Sequence, residues 1–172
     1  MLIDHKKEHC LLHKKILRFI FSSIQEMVDP KLVIETGVAS GDSALAIMES
    51  CPNAIYHGYD IWEGFDAVHE KAARARLEKF GERANIHKEN TFKLTKLPKN
   101  IDIAYVDGDH STPGCLNDLK LVEKFLSPKG VIVVHDMDFN PVKNAVEQWL
   151  DKDKWETIHL KMGCEYIICW RK

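Results

Sequence analysis

"LVIETGVASGDSALAI", residues 32–47, passes from a short apolar run through Glu35 and a loop with Gly37 and Gly41 into a stretch of helical spacing. Strand, glycine loop and helix open a βαβ unit, in which the glycines admit close backbone approach and the helix starting near Asp42-Ser43 offers N–H groups to an anion. The glycines are not spaced as G-x-G-x-x-G, and no G-x-x-x-x-G-K-[ST] loop is present. An acid stands before the glycines instead. Such a pocket favours a ligand carrying positive charge and disfavours a pyrophosphate.

Outward from this unit the same rhythm repeats. Apolar runs at 54–59, 84–88, 101–106 and 131–135 join 32–35 as strand candidates, mostly without polar alternation, as strands buried on both faces require. Between them lie helical spacings such as Cys115, Leu116, Leu119, Val122, Phe125 and Leu126, then Val142, Ala145, Val146, Trp149 and Leu150. Thr112-Pro113 and Asn140-Pro141 read as caps before a first-turn proline. The tail, "WETIHL", "KMG", "CEYIICW", reads as an antiparallel hairpin closing one sheet edge.

The chain of 172 residues is sized for one domain, with residues 1–29 read as an amphipathic helix whose stripe is Ile16, Leu17, Ile20, Phe21, Ile24, Met27 and Val28. Lysine plus arginine total 24 against 26 acids, a net charge of −2 that gives no general pull toward nucleic acid or membrane. No segment resembles a leader or a span, so a cytoplasmic protein is expected. Five scattered cysteines without C-x-x-C read as free buried thiols and give no zinc signature, with Cys164 and Cys169 on opposite faces of a strand.

In an open parallel sheet, ligands bind beyond the carboxyl ends of the strands, and here those ends carry Glu35, Asp60, Glu89-Asn90, Asp107 and Asp136. Any one acid can cap a helix; five in register suggest a site. S-adenosylmethionine suits this pocket: a sulfonium and an ammonium for the acids, a carboxylate for the helix N-terminus, and a ribose diol that Asp60 grips with two hydrogen bonds.

"ETGVASGDSAL", "YHGYDIW", "YVDGDHS" and "GVIVVHDMDF", in that order, resemble the successive motifs of class I S-adenosylmethionine-dependent methyltransferases. They most resemble a small-molecule or sugar O-methyltransferase-like subfamily with a D-G-D-H-S stretch. The resemblance spans roughly residues 30–170 and implies a Rossmann-like, doubly wound seven-stranded α/β sheet with its last strand antiparallel. It implies that Glu35, Gly37, Ser40, Gly41, Asp42 and Ser43 hold the methionine part, that Asp60 with Ile61 holds the ribose, and that Asn90 and Thr91 meet adenine. In "ENT" the sequence departs from the glycine, acid and serine of relatives there. Trp62 either lies against adenine or covers the core.

The same order makes Asp107 and Asp136 neighbours, close enough that both cannot stay ionised without a cation or a shared proton. Asp107 and Asp136, helped by Asp109 or Asp138, are therefore the expected ligands of Mg²⁺, although Met137 stands where metal-dependent relatives place an asparagine. His110 and His135, with Asp107, are the catalytic candidates; each histidine is otherwise a structural partner of a strand-end acid. The expected activity is O-methylation of a small-molecule or glycan hydroxyl. A non-catalytic binding or assembly module of the same fold is the alternative, and a nicotinamide-dependent dehydrogenase is disfavoured by the glycine spacing. The acceptor side is expected to be open, walled by a second copy or serving a bulky acceptor, with residues 62–69 as a lid hinged at Gly64.

Overall fold

A computed structural model describes the backbone of residues 5–63 and 67–172 and the side chains of 12–63 and 67–172. Helix α1 (His5–Val28) precedes β1 (Leu32–Thr36), α2 (Asp42–Ser50), β2 (Ile55–Asp60), α3 (Ala67–Leu77) and β3 (Ala84–Lys88). Then follow β4 (Ile101–Val106), α4 (Thr112–Glu123), β5 (Leu126–Val134), α5 (Asn140–Trp149), β6 (Trp155–Lys161) and β7 (Glu165–Arg171). The seven strands form one sheet in the order β3-β2-β1-β4-β5-β7-β6. Pairings from β3 across to β5 are parallel, and β7 alone runs against its neighbours. This is the Rossmann-like, doubly wound sheet expected from the sequence.

Strand periodicity divides the core in two. Val33, Ile103, Tyr105, Val131 and Val133 face a cluster built with α1, α2 and α3, while Ile34, Ala104, Val106, Ile132 and Val134 face one built with α4 and α5. Residues with no polar alternation are thus buried on both sides. Helix α1 buries Ile16, Leu17, Ile20, Phe21 and Ile24, and Val28 continues the stripe. Met27 falls outside it and is 80% exposed. Lys14 pairs with Asp42 at 3.0 Å, and Arg18 pairs with Glu49, fixing α1 along α2.

Some boundaries differ from the expected ones for local reasons. β5 starts at Leu126, because a register shift opposite Ile101–Ile103 lets the strand carry Pro128 through a bulge. The cap of α4 is Ser111, whose hydroxyl accepts from Gly114 N at 3.1 Å, one residue before the expected Thr112. Asn140 lies inside α5, which starts after Phe139 without a side-chain cap. Cys51, Cys115 and Cys169 are buried free thiols, each pushed up to about 12 by burial; Cys164 is half-buried in the β6–β7 turn. Among the described residues no helix is long and apolar enough to cross a membrane.

Candidate functional site

Strand order reverses between β1 and β4, so the loops leaving these strands diverge and open a crevice at their carboxyl ends. The loop after β1 is bound to both neighbouring strands. Gly37 N donates to Tyr59 O and Asp107 N donates to Thr36 O, each at 2.9 Å. Gly37 has φ +83°, and a Cβ there would lie 2.0 Å from the Asp107 carbonyl oxygen, so only glycine permits this approach. Gly41 (φ +79°) precedes α2 and supplies no side-chain cap, which leaves the first-turn N–H groups of that helix to a ligand.

Asp60 organises this loop from the end of β2. Its Oδ2 accepts from Val38 N and Ala39 N at 2.9 and 2.8 Å, and its Oδ1 accepts from Trp62 N at 2.9 Å. An ionised carboxylate has roughly four acceptor sites, so about one remains for a diol where two were expected. The Trp62 indole donates to Ala39 O at 3.0 Å. At 2% exposure it belongs to the core and does not line the crevice; this decides between its two expected roles. From α3, Arg76 donates to Ser40 O and His69 Nδ1 sits 2.5 Å from Ser40 Oγ. Trp62 and His69 are therefore anchors of the loop, not parts of a lid; Gly64, the expected hinge, lies outside the described residues.

Glu35 departs from expectation. Its side chain is fully buried beneath the loop, where Oε1 accepts from the Ser43 hydroxyl and Oε2 from the Tyr56 hydroxyl. Burial raises its pKa to about 8 against the pull of those two hydrogen bonds, with the charges of Asp107 and Asp60 adding to the rise. It thus braces the start of α2 as a neutral acid and does not reach the crevice.

At the other end, Asp107 and Asp136 come together as expected, with two histidines between them. His110 Nε2 lies 3.3 Å from Asp107 Oδ1 and 3.1 Å from Asp136 Oδ2. His135 Nδ1 lies 3.0 Å from Asp107 Oδ1 and 3.2 Å from Asp136 Oδ1. Burial pushes Asp107 up, but the hydrogen bonds from His110 and His135 outweigh it and leave its pKa below the usual carboxylate value. For Asp136 burial wins, aided by repulsion from Asp107, and its pKa is raised. The hydrogen bond and charge of Asp107 raise the His110 pKa; in His135 burial lowers it, yet the same carboxylate raises it on balance.

This arrangement does not give the oxygen-only set expected for Mg²⁺. The Asp107, His110 and Asp136 ligand atoms lie within 4.8 Å of one another, so an imidazole stands between the two carboxylates, a donor set that suits a transition ion better than magnesium. Asp109, one of the two expected helpers, accepts from Ser111 N at 2.8 Å and shapes the turn into α4.

One cavity of about 690 Å³ joins these two ends. Of the residues expected there, Gly37, Ser40, Asp42, Ser43, Asp60, Ile61, Asn90, Thr91, Asp107, His110, His135 and Asp136 line it; Glu35, Gly41 and Trp62 do not. Asn90 also accepts from Phe92 N at 2.9 Å, ordering the turn after β3. Among the lining residues that the sequence does not single out, two are titratable side chains on helices. Asp118 of α4 is 1% exposed and accepts from Asn117 Nδ2 at 3.3 Å, and burial raises its pKa. His13 of α1 stacks on His135 with ring centroids 4.8 Å apart. Both had a signal, a polar residue within an apolar helical stripe: Cys115-Asp118-Leu119-Val122 and His13-Ile16-Leu17-Ile20.

Residues 34–137 match a protein family described as "Methyltransferase domain". A search of curated protein sequences finds no match. Among solved structures, the fold is similar to an O-methyltransferase from Bacillus cereus in complex with SAH, at a TM-score of 0.75 and 11% identity over 100% of this chain and 93% of that one. It is also similar to the SAH-bound methyltransferase PaMTH1 of Podospora anserina, at a TM-score of 0.74 and 16% identity over 93% and 78%. A third is the O-methyltransferase TomG of Streptomyces achromogenes, involved in tomaymycin synthesis and in complex with SAM, at 0.71 and 13% over 100% and 91%. At such identities the likeness is one of fold.

Proposed function

The chain belongs to the methyltransferase domain family, and from that premise we propose that it uses S-adenosylmethionine to methylate a hydroxyl of a small-molecule or glycan acceptor. The observation that carries this reading is the cavity of about 690 Å³ that joins a glycine loop and an uncapped helix N-terminus to a histidine–carboxylate cluster. Gly37 gives the ligand access to the backbone, the α2 N-terminus receives a carboxylate, Asp60 accepts from the ribose, and Asn90 and Thr91 stand at the adenine end. S-adenosylmethionine, when bound, supplies an electrophilic methyl group on a sulfonium.

The chain's own residues prepare the acceptor. Only an N–H can donate to the two carboxylates at His110 Nε2, so they assign the proton there and leave the Nδ1 lone pair as the base. His110 takes the hydroxyl proton at Nδ1, and Asp107 with Asp136 stabilises the resulting imidazolium. Asp107 also holds the His135 ring, so it positions both imidazoles. No metal is needed in this scheme. The buried free thiols suit a reducing, cytoplasmic setting.

Native mass spectrometry of the purified protein tests the cofactor, and SAH release with a panel of hydroxyl acceptors tests the reaction. The reading expects a retained or added S-adenosyl ligand, and turnover that falls about 10²–10⁴-fold in His110→Gln. Ligand binding with no turnover across the panel would favour the non-catalytic module; a bound nicotinamide would overturn both.

A further inference from the structure

Three side chains distant in sequence meet beside the histidine–carboxylate cluster: His13 from α1, His135 from the end of β5, and Cys164 from the β6–β7 turn. Their ligand atoms lie within 4.8 Å of one another. We propose that they form a binding site for a thiophilic divalent cation, Zn²⁺ by its donor chemistry, with coordination left open toward the cavity.

The second observation is at His135, which is more than nine-tenths buried. Its Nδ1 is held by Asp107 at 3.0 Å, which places the ring proton there and leaves Nε2 as a lone pair; that atom is buried without a hydrogen-bond partner. A carboxylate on one imidazole nitrogen and a bare lone pair on the other is the arrangement that orients a histidine for a metal. The Tyr166 hydroxyl, whose ring lies 4.8 Å from that of His135, is likewise buried without a hydrogen-bond partner, so the pocket has unused polar capacity.

Two imidazoles and a thiolate are donors for zinc and not for magnesium or calcium. Zn–N bonds of about 2.0–2.1 Å and a Zn–S bond of about 2.3 Å draw ligand atoms closer together than the 4.8 Å within which these three lie, a closing that side-chain adjustment supplies. His13 and His135 line the cavity, so a fourth ligand would enter from there. The ion would tie α1 and the hairpin turn to the sheet as one wall of the site. This proposal does not rest on methyl transfer, although it shares His135 and Asp107 with that site, and it stands whether or not that reading holds.

The test is an anaerobic titration of the full chain with Co²⁺, read by absorbance and followed by Zn²⁺ displacement. The expected result is one equivalent with a thiolate-to-cobalt charge-transfer band, abolished in Cys164→Ser and weakened in His13→Gln. Asp107→Asn should weaken binding by about 10–100-fold without removing the band. Co²⁺ binding without the band, a band that survives Cys164→Ser, or wild-type behaviour of His13→Gln would overturn the proposal. Circular dichroism checks that each variant is folded, and His13→Gln keeps the test decisive if Cys164→Ser is not.

Discussion

Glu35 shows how one residue can be read correctly as unusual and wrongly as a ligand contact. An acid between an apolar strand and a glycine loop stands out in the sequence, but nothing there reveals that Ser43 and Tyr56 close over it. Its folded pKa of about 8 exceeds the ordinary 4.5, so the native state holds a proton that the unfolded chain releases, and stability falls as pH rises through the window from 4.5 to about 8. Glu35→Gln keeps a neutral side chain there; chemical denaturation at several pH values should show a flatter profile across that window and no loss of stability at its upper end. A variant with the wild-type slope would contradict the assignment. His110 supplies a second expectation. Its pKa is raised first by Asp107 and also by Asp136, so a rate that needs the neutral ring should rise with pH along a limb above the ordinary 6.5. Asp136→Asn removes one of those anions, and the limb in kcat/KM should move to lower pH; a shift upward or none would remove His110 as the base.

Among the elements, the glycine loop is the most constrained. Asp60 takes its backbone N–H groups, Trp62 and Arg76 donate to its carbonyls, and Gly37 lies against the end of β4. Gly37→Ala meets backbone at 2.0 Å in a positive-φ conformation, so thermal unfolding should show a loss of about 1–3 kcal/mol together with weakened ligand binding. Unchanged stability and affinity would mean that the loop is not held as described. The central strands were legible because burial on both faces leaves uninterrupted apolar runs, and the hairpin because Gly163 separates two strand-like runs, one of them the exposed edge strand β6. The early start of β5 was not, since "SPKG" reads as a turn unless the bulge opposite β4 is known. Nor was the role of α1. Its stripe announced a buried face, but which end meets the site depends on packing against α2 and the sheet, and so His13 went unread.

For the whole molecule, the reversal of strand order at β1 and β4 gathers residues from positions 13 to 136 around one cavity, while the net charge of −2 supplies no long-range attraction. That Asp60, Asp107 and Asp136 share that cavity followed from the sheet order; that Glu35 does not, and which acids already carry hydrogen bonds, did not. Asp60 is the clearest case, an acid at the expected position with about one acceptor site left. Whether this cavity binds S-adenosylmethionine through Asp60 is read most directly by calorimetric titration of the wild-type chain and of Asp60→Ala, each confirmed as folded. A hydrogen bond to a charged group contributes about 1.5–3 kcal/mol, and loss of Asp60 also frees the loop, so wild-type binding should be measurable and weakened at least roughly tenfold in the variant. Equal affinity in the two proteins, or no binding by the wild type, would contradict binding through Asp60.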